Sequence, residues 1–251
     1  MNCPVRLQTC LIFLACALPL LVSAQTSPAS PASATTIGQG LAALEAHQPA
    51  QALAIFQQIL QSDPNNAVAT LYAATAALEQ YNGPLAVQYA EKARQLDPQS
   101  WKVHTTLVAA YAAAGNQQQR DAERAQLAQL HATGAPDARK ASGFLLEMFQ
   151  SGPDQVNAIQ YFEPVGKFHT YYRFLIHDTA ANTNREIDVQ SNDFDEKSWE
   201  QTHPTQVAAG ERHFQFTDAN GTADYRTYSG KPDYDQFRAM VVAILQSAPA
   251  H

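Results

Sequence analysis

Cysteine is scarce in this chain and absent from most of it. Of 251 residues only three are cysteines, and Cys3, Cys10 and Cys16 all lie near the start of the sequence. Beyond residue 16 the chain cannot form a disulfide, a thiol nucleophile or a cysteine-based zinc site. Packing alone must hold the fold there, and an apolar content of 45% is enough for a buried core.

Basic residues are also few. The chain has 16 Lys and Arg against 23 Asp and Glu, which gives a formal net charge of -7. An acidic surface is poorly suited to a nucleic-acid backbone or to an anionic membrane. We therefore expect no nucleic-acid partner.

Long hydrophobic runs are missing as well. The apolar stretch from Cys10 to Val22 has about 13 to 15 residues, whereas a membrane-spanning helix needs about 20. Arg6 precedes this stretch and Val22-Ser23-Ala24 follows it, which is typical of a secretory signal peptide. We expect residues 1–24 to be removed and the mature protein to lie outside the cytoplasm, in the periplasm or cell envelope.

One alternative concerns lipid attachment. Phe13-Leu14-Ala15-Cys16 resembles a lipobox with Phe in place of the usual Leu, so Cys16 stays open as a lipidation site. Residues 25–36 contain two prolines and nothing large to bury, which predicts a flexible tether before the folded part.

One pattern occurs twice after this tether, at an offset of 34 residues. Each copy marks a helix that ends in Asp-Pro. The two sets are Ala52, Phe56, Ile59, Asp63, Pro64 and Ala86, Ala90, Ala93, Asp97, Pro98. A partial third copy begins at Trp101 and has Gly115 as its turn residue. A fixed period of this length indicates a stack of similar structural units.

Units of 34 residues with these features resemble the tetratricopeptide repeat (TPR) family over residues 37–131. The resemblance implies two short antiparallel helices per unit, with small residues such as Gly40 and Ala86 where the helices touch. The second helix of the third unit, at about 117–131, departs from the pattern because Arg120 and Arg124 replace an Ala and an aromatic residue. We interpret it as a capping helix with no neighbour on one face.

In TPR proteins the first helix of each unit lines a groove, so the resemblance implies a protein or peptide partner there. The residues at these positions are Ile37, Leu41, Leu71, Thr75, Leu78, Thr105 and Ala109. Those TPR domains that hold a peptide carboxylate use Lys, Arg and Asn at such positions, and that clamp is not carried over. The protein's own tether or last helix is an alternative occupant.

The periodicity changes after Gly134 and Pro136, where we place a domain boundary. Apolar and polar residues then alternate, as half-buried strands require. Strands are predicted at 144–150, 155–162, 168–178, 185–190, 212–217 and 223–228, with a short helix at 195–202. Pro232-Asp233 begins a C-terminal helix. The fold class is therefore α+β: helical hairpin repeats, then an antiparallel β-meander domain over residues 141–251 that includes this helix.

Common catalytic signatures are missing from the sequence. It has no Gly-x-Ser-x-Gly elbow, no His-Glu-x-x-His and no glycine-rich nucleotide turn, so we expect no catalytic, cofactor or metal site. Tyr171, Arg173 and His177 share one face of a predicted strand, which gives a possible surface for a sugar or peptide. The alternative is that this face is buried, in a second layer or against the repeats.

These features together favour an exported, non-catalytic interaction or scaffold protein of the bacterial cell envelope. The alternative is that the β-rich domain is a carbohydrate-binding or hydrolytic module and the repeats are its docking arm.

Overall fold

Three antiparallel helical hairpins form the first part of the fold. The computed structural model of the chain describes residues 36–134, 136–165, 170–191, 205, 211–218, 223–229 and 233–247. The hairpin helices are α1 (Ile37–Glu45), α2 (Pro49–Ser62), α3 (Ala67–Glu79), α4 (Gly83–Leu96), α5 (Trp101–Ala113) and α6 (Gln117–Thr133). Helices α2, α4 and α6 begin 34 residues apart, at Pro49, Gly83 and Gln117. The period in the sequence is therefore a period of the structure.

Small residues let these helices approach closely. A Cβ atom on Gly40 would meet the Phe56 ring, and one on Gly83 would meet the Ala113 carbonyl. Ala86 is fully buried in the core that α3, α4 and α5 share. The expected contact positions Gly40 and Ala86 thus lie at helix–helix contacts, where a larger side chain would overpack.

A short helix, α7 (Pro136–Lys140), leads into a six-stranded sheet. The strands are β1 (Gly143–Ser151), β2 (Asp154–Val165), β3 (Thr170–Asp178), β4 (Thr183–Ser191), β5 (Glu211–Asp218) and β6 (Ala223–Ser229). Each strand pairs antiparallel with its neighbour in sequence, in the order β1 to β6. The predicted meander is therefore confirmed, whereas the helix predicted at 195–202 lies outside the described residues.

The C-terminal helix α8 (Tyr234–Ser247) covers one face of this sheet, which we call the inner face. Its start is fixed by a reciprocal cap: the Asp233 N–H donates to Gln236 Oε1, and the Gln236 N–H donates to Asp233 Oδ1, each at 3.0 Å. Phe237, Val241 and Leu245 point from α8 into the core. The inner-face residues that meet them include Phe174, Ile176, Ile187, Val189 and Phe216.

Helix α6 is not a solvent-facing cap, which corrects the interpretation of its two arginines. Arg120 is only 4% exposed and binds both oxygens of Asp235 on α8, at 2.8 and 3.0 Å. Arg124 donates from Nε to Gln160 on β2 at 2.8 Å. These residues depart from the repeat pattern because they join the last hairpin to the sheet and to α8.

A second polar contact ties α8 to β1. The Tyr234 hydroxyl donates to Glu147 at 2.6 Å, and Arg238 donates to the same carboxylate at 2.8 Å. Val108 on α5 and Leu127 on α6 belong to the same core as the sheet and α8. The described helices and strands are therefore parts of one compact unit within residues 35–251.

A buried charged cluster holds the last two hairpins together. Nδ1 of His104 contacts the Glu123 carboxylate, and its Nε2 faces the Pro98 carbonyl at 2.9 Å. Arg94 binds the other oxygen of Glu123 at 3.2 Å. The hydrogen bond to Glu123 raises the pKa of His104 despite its burial. Both ring nitrogens face acceptors, so the imidazolium is the form that satisfies them.

Within the described part of the chain, no helix has both the length and the apolar content that crossing a membrane requires.

The contribution of the Arg120–Asp235 pair can be measured with a double-mutant cycle of Arg120→Met and Asp235→Ala. We expect each change to destabilise the protein and the coupling energy to be about 1–2 kcal/mol, because Arg120 is buried but Asp235 is 35% exposed. Urea unfolding followed by circular dichroism gives the four free energies. Arg139→Met combined with Asp235→Ala is the control, since Arg139 is exposed on α7. Equal coupling in both cycles would contradict a specific role for Arg120.

Candidate functional site: a trench between the helices and the sheet

Two adjoining cavities lie between the helical hairpins and the outer face of the sheet, which is the face opposite α8. Their volumes are about 420 and 820 Å³. Glu79, Met148 and Asn157 line both cavities. The two therefore form one continuous feature, which we call the trench.

The smaller cavity is the more apolar part of the trench. On the helical side it is lined by α3 and α5 through Thr75, Leu78, Thr105 and Ala109, among others. Leu145 and Met148 form the opposite wall and also pack against the helical core. Strand β1 therefore partly fills the groove, in place of the tether or last helix considered from the sequence.

Polar side chains dominate the larger cavity. The helical side contributes His47, Glu79 and Tyr81, and the sheet contributes Gln155, Asn157, His177 and Asn184. Strand register aligns Met148, Asn157 and Leu175 in one row across β1, β2 and β3. Leu175 is 40% exposed, which is unusual for a large apolar residue. The cavity thus offers side-chain amides beside an apolar strip.

His47 and Tyr81 occupy equivalent turn positions in the first two hairpins, and Gly115 occupies the third. All three have positive φ, at 53°, 56° and 74° respectively. In each turn the N–H of the following residue bonds the carbonyl five residues back, and the N–H of the positive-φ residue bonds the carbonyl three residues back. This is the Schellman motif, in which the left-handed position usually holds glycine.

Two bulky residues therefore adopt a backbone conformation that favours glycine, and both face the larger cavity. A left-handed residue other than glycine costs roughly 1–2 kcal/mol, and such strain clusters at functional sites. Gln80 connects the two turns, since its amide donates to the Pro49 carbonyl at 3.2 Å and to the Ala76 carbonyl at 3.0 Å. The helical wall of the trench is thus fixed in place.

Glu79 is the notable titratable group in the trench. Burial raises its pKa, and nearby His47 acts in the opposite direction. Burial, together with Glu79, raises the pKa of Tyr81. Among the described residues, the Glu79 carboxylate has no hydrogen-bond or ion-pair partner. It also ends α3, where the negative end of the helix dipole disfavours a carboxylate.

The predicted groove residues fall into two groups. Thr75, Leu78, Thr105 and Ala109 line the smaller cavity. Leu71 is buried in the core of the second and third hairpins, while Ile37 and Leu41 pack against the core of the first.

The predicted surface on β3 is also divided. His177 lines the larger cavity, where its Nδ1 lies 2.8 Å from Asn184 Oδ1. Arg173 is bound to Asp188 through two hydrogen bonds, at 2.7 and 2.8 Å. Tyr171 lies beside the Phe214 ring, with centroids 6.3 Å apart. These three residues therefore do not act as one surface.

Sequence reasoning missed the turn residues His47 and Tyr81, and it missed Glu79 and the amides of β2. A signal was present for the turns, because subtracting 34 from Gly115 gives Tyr81 and subtracting it again gives His47. Within the described residues, no three His, Cys, Asp or Glu side chains are grouped so that they could hold a metal ion.

Comparison with known proteins gives no further assignment of the trench: no protein-family model matches the chain, and no curated protein matches it significantly.

Backbone strain at the trench can be tested at equivalent positions of two hairpins. His47→Gly should raise the free energy of unfolding by about 0.5–1 kcal/mol, because His47 is exposed and its positive φ favours glycine. Gly115→Ala is the reverse change, and since a Cβ atom there meets open space, only the backbone cost of about 1 kcal/mol is expected. Urea midpoints measure both. Destabilisation by His47→Gly would show that His47 makes contacts that outweigh its strain.

Proposed function

We propose that this protein is an exported interaction protein of the bacterial cell envelope, without catalytic activity. In this proposal its TPR-like hairpins and its sheet together hold a segment of a partner protein in the trench. The trench itself is the observation that carries the proposal, because a site built from two different parts of the fold presents a defined shape. The signal-like segment at residues 1–24 supports the exported location.

Several features of the trench favour a polypeptide as the occupant. Side-chain amides of Gln155 and Asn157 offer both donors and acceptors, which match the backbone groups of an extended peptide. Leu175 and the smaller cavity offer apolar surface for its side chains. The larger cavity, at about 820 Å³, lies within the range typical of ligand sites.

Photo-crosslinking tests where the partner binds. A benzophenone analogue of phenylalanine replaces Leu175 in the trench, and in a matched variant it replaces Gln58, which is exposed on α2. We expect ultraviolet light to produce a discrete protein adduct in envelope extracts from the variant at position 175 only. Adducts of equal yield at both positions, or none at 175, would contradict binding in the trench.

A second candidate function is carbohydrate binding by the same trench, with the hairpins as one wall. It is favoured by the polar character of the larger cavity, where amide side chains lie near Tyr81. Amides and aromatic rings are common in such sites because they bond hydroxyl groups and cover apolar sugar faces.

A glycan array distinguishes this second candidate from the first. If sugars bind the trench, the protein retains defined glycans, and Asn157→Ala loses at least tenfold in affinity while the exposed Asn65→Ala binds normally. Retention of no glycan, or equal losses in both variants, would contradict carbohydrate binding.

A further inference from the structure

The charge of the trench is unbalanced at a single position. Among the lining residues named above, Glu79 carries a negative charge without a partner. The nearest full positive charge in the lining is Arg185, which is bound to Asp154 at 3.0 Å. His177 is occupied by Asn184. The protein therefore leaves one carboxylate uncompensated where the two cavities join.

A cation beside Glu79 would remove two unfavourable contributions at once. The carboxylate is half-buried, and it lies at the C-terminal end of α3, so both desolvation and the helix dipole act against its charge. An opposite charge in direct contact compensates for both. The chemistry that best completes this part of the trench is thus a Lys or Arg side chain.

The neighbouring cavity defines a second requirement. Thr75, Leu78 and Ala109 on one side and Leu145 and Met148 on the other leave about 420 Å³ of mainly apolar space, with Glu79 at its border. Burying an apolar side chain there is favourable, at roughly 25 cal/mol for each Å² removed from water. A ligand that satisfies Glu79 and also enters this cavity must carry a cationic group and an apolar group close together.

We propose that the trench binds an extended polypeptide segment that places a Lys or Arg side chain against Glu79 and an apolar side chain in the cavity beside Ala109. This inference rests on the proposed function and adds the chemistry of the bound segment. The amides of Gln155 and Asn157 face the peptide backbone, and the two side chains give selectivity.

The repeat supplies a matched control for Glu79. Glu45 ends α1 as Glu79 ends α3, so the two residues occupy equivalent positions in consecutive hairpins. Glu45 is exposed, whereas Glu79 is half-buried in the trench. Comparing Glu79→Gln with Glu45→Gln removes the same charge from the same helix position, in the trench and outside it.

The test is selection of a phage-displayed random heptapeptide library on the purified protein, followed by calorimetry with one enriched peptide. We expect enriched sequences to combine Lys or Arg with a Leu, Ile, Met or Phe nearby. The dissociation constant should rise at least tenfold in Glu79→Gln and stay within twofold in Glu45→Gln. Replacing the basic residue of the peptide by norleucine should weaken binding to the unchanged protein but not to Glu79→Gln. Since that peptide is compared on the unchanged protein, the test does not depend on the folding of a variant.

Each other outcome overturns the inference in a distinguishable way. Enriched peptides without a basic residue, or equal effects of the two Glu→Gln changes, would show that the trench binds peptides by other chemistry, which leaves the proposed function in place. No enriched peptide, together with no adduct at position 175, would overturn both.

Discussion

The ion pair between Arg120 and Asp235 determines how the two parts of this fold are arranged. A buried guanidinium is costly unless it is paired, so α8 is held where its carboxylate reaches α6. With α8 on the inner face of the sheet, the outer face remains on the side of the hairpins. The trench exists because this arrangement leaves the inner helices and β2 apart while α5 and β1 pack together.

Much of the architecture is readable from the sequence, because local patterns determine it. Alternating apolar residues define the six strands, and the 34-residue period defines the helix starts. Arg120 and Arg124 show where such reading stops. In the sequence they are departures from a repeat, and only the tertiary structure reveals that Asp235, 115 residues further along, is the partner of Arg120.

The candidate site was predictable in the same uneven way. Thr75, Leu78, Thr105 and Ala109 follow from their positions on the first helices of the hairpins, which form one wall of the smaller cavity. The opposite wall was not predictable, because a meander pattern shows which residues share a face but not what that face opposes. Tyr81 was overlooked because a turn residue in a sequence carries no sign of its backbone angle, although Gly115 at the equivalent position gave the relevant comparison.

The position of α8 at the end of the described chain affects how the protein is made. Each strand pairs with its neighbour in sequence, so the sheet can assemble progressively during synthesis. Its inner face, however, gains its cover only when α8 has left the ribosome. Until then Phe174, Val189 and Phe216 form a bare apolar surface of the kind that leads nascent chains to aggregate. Synthesis or transport that stalls before residue 234 therefore leaves a chain that needs a chaperone to stay soluble.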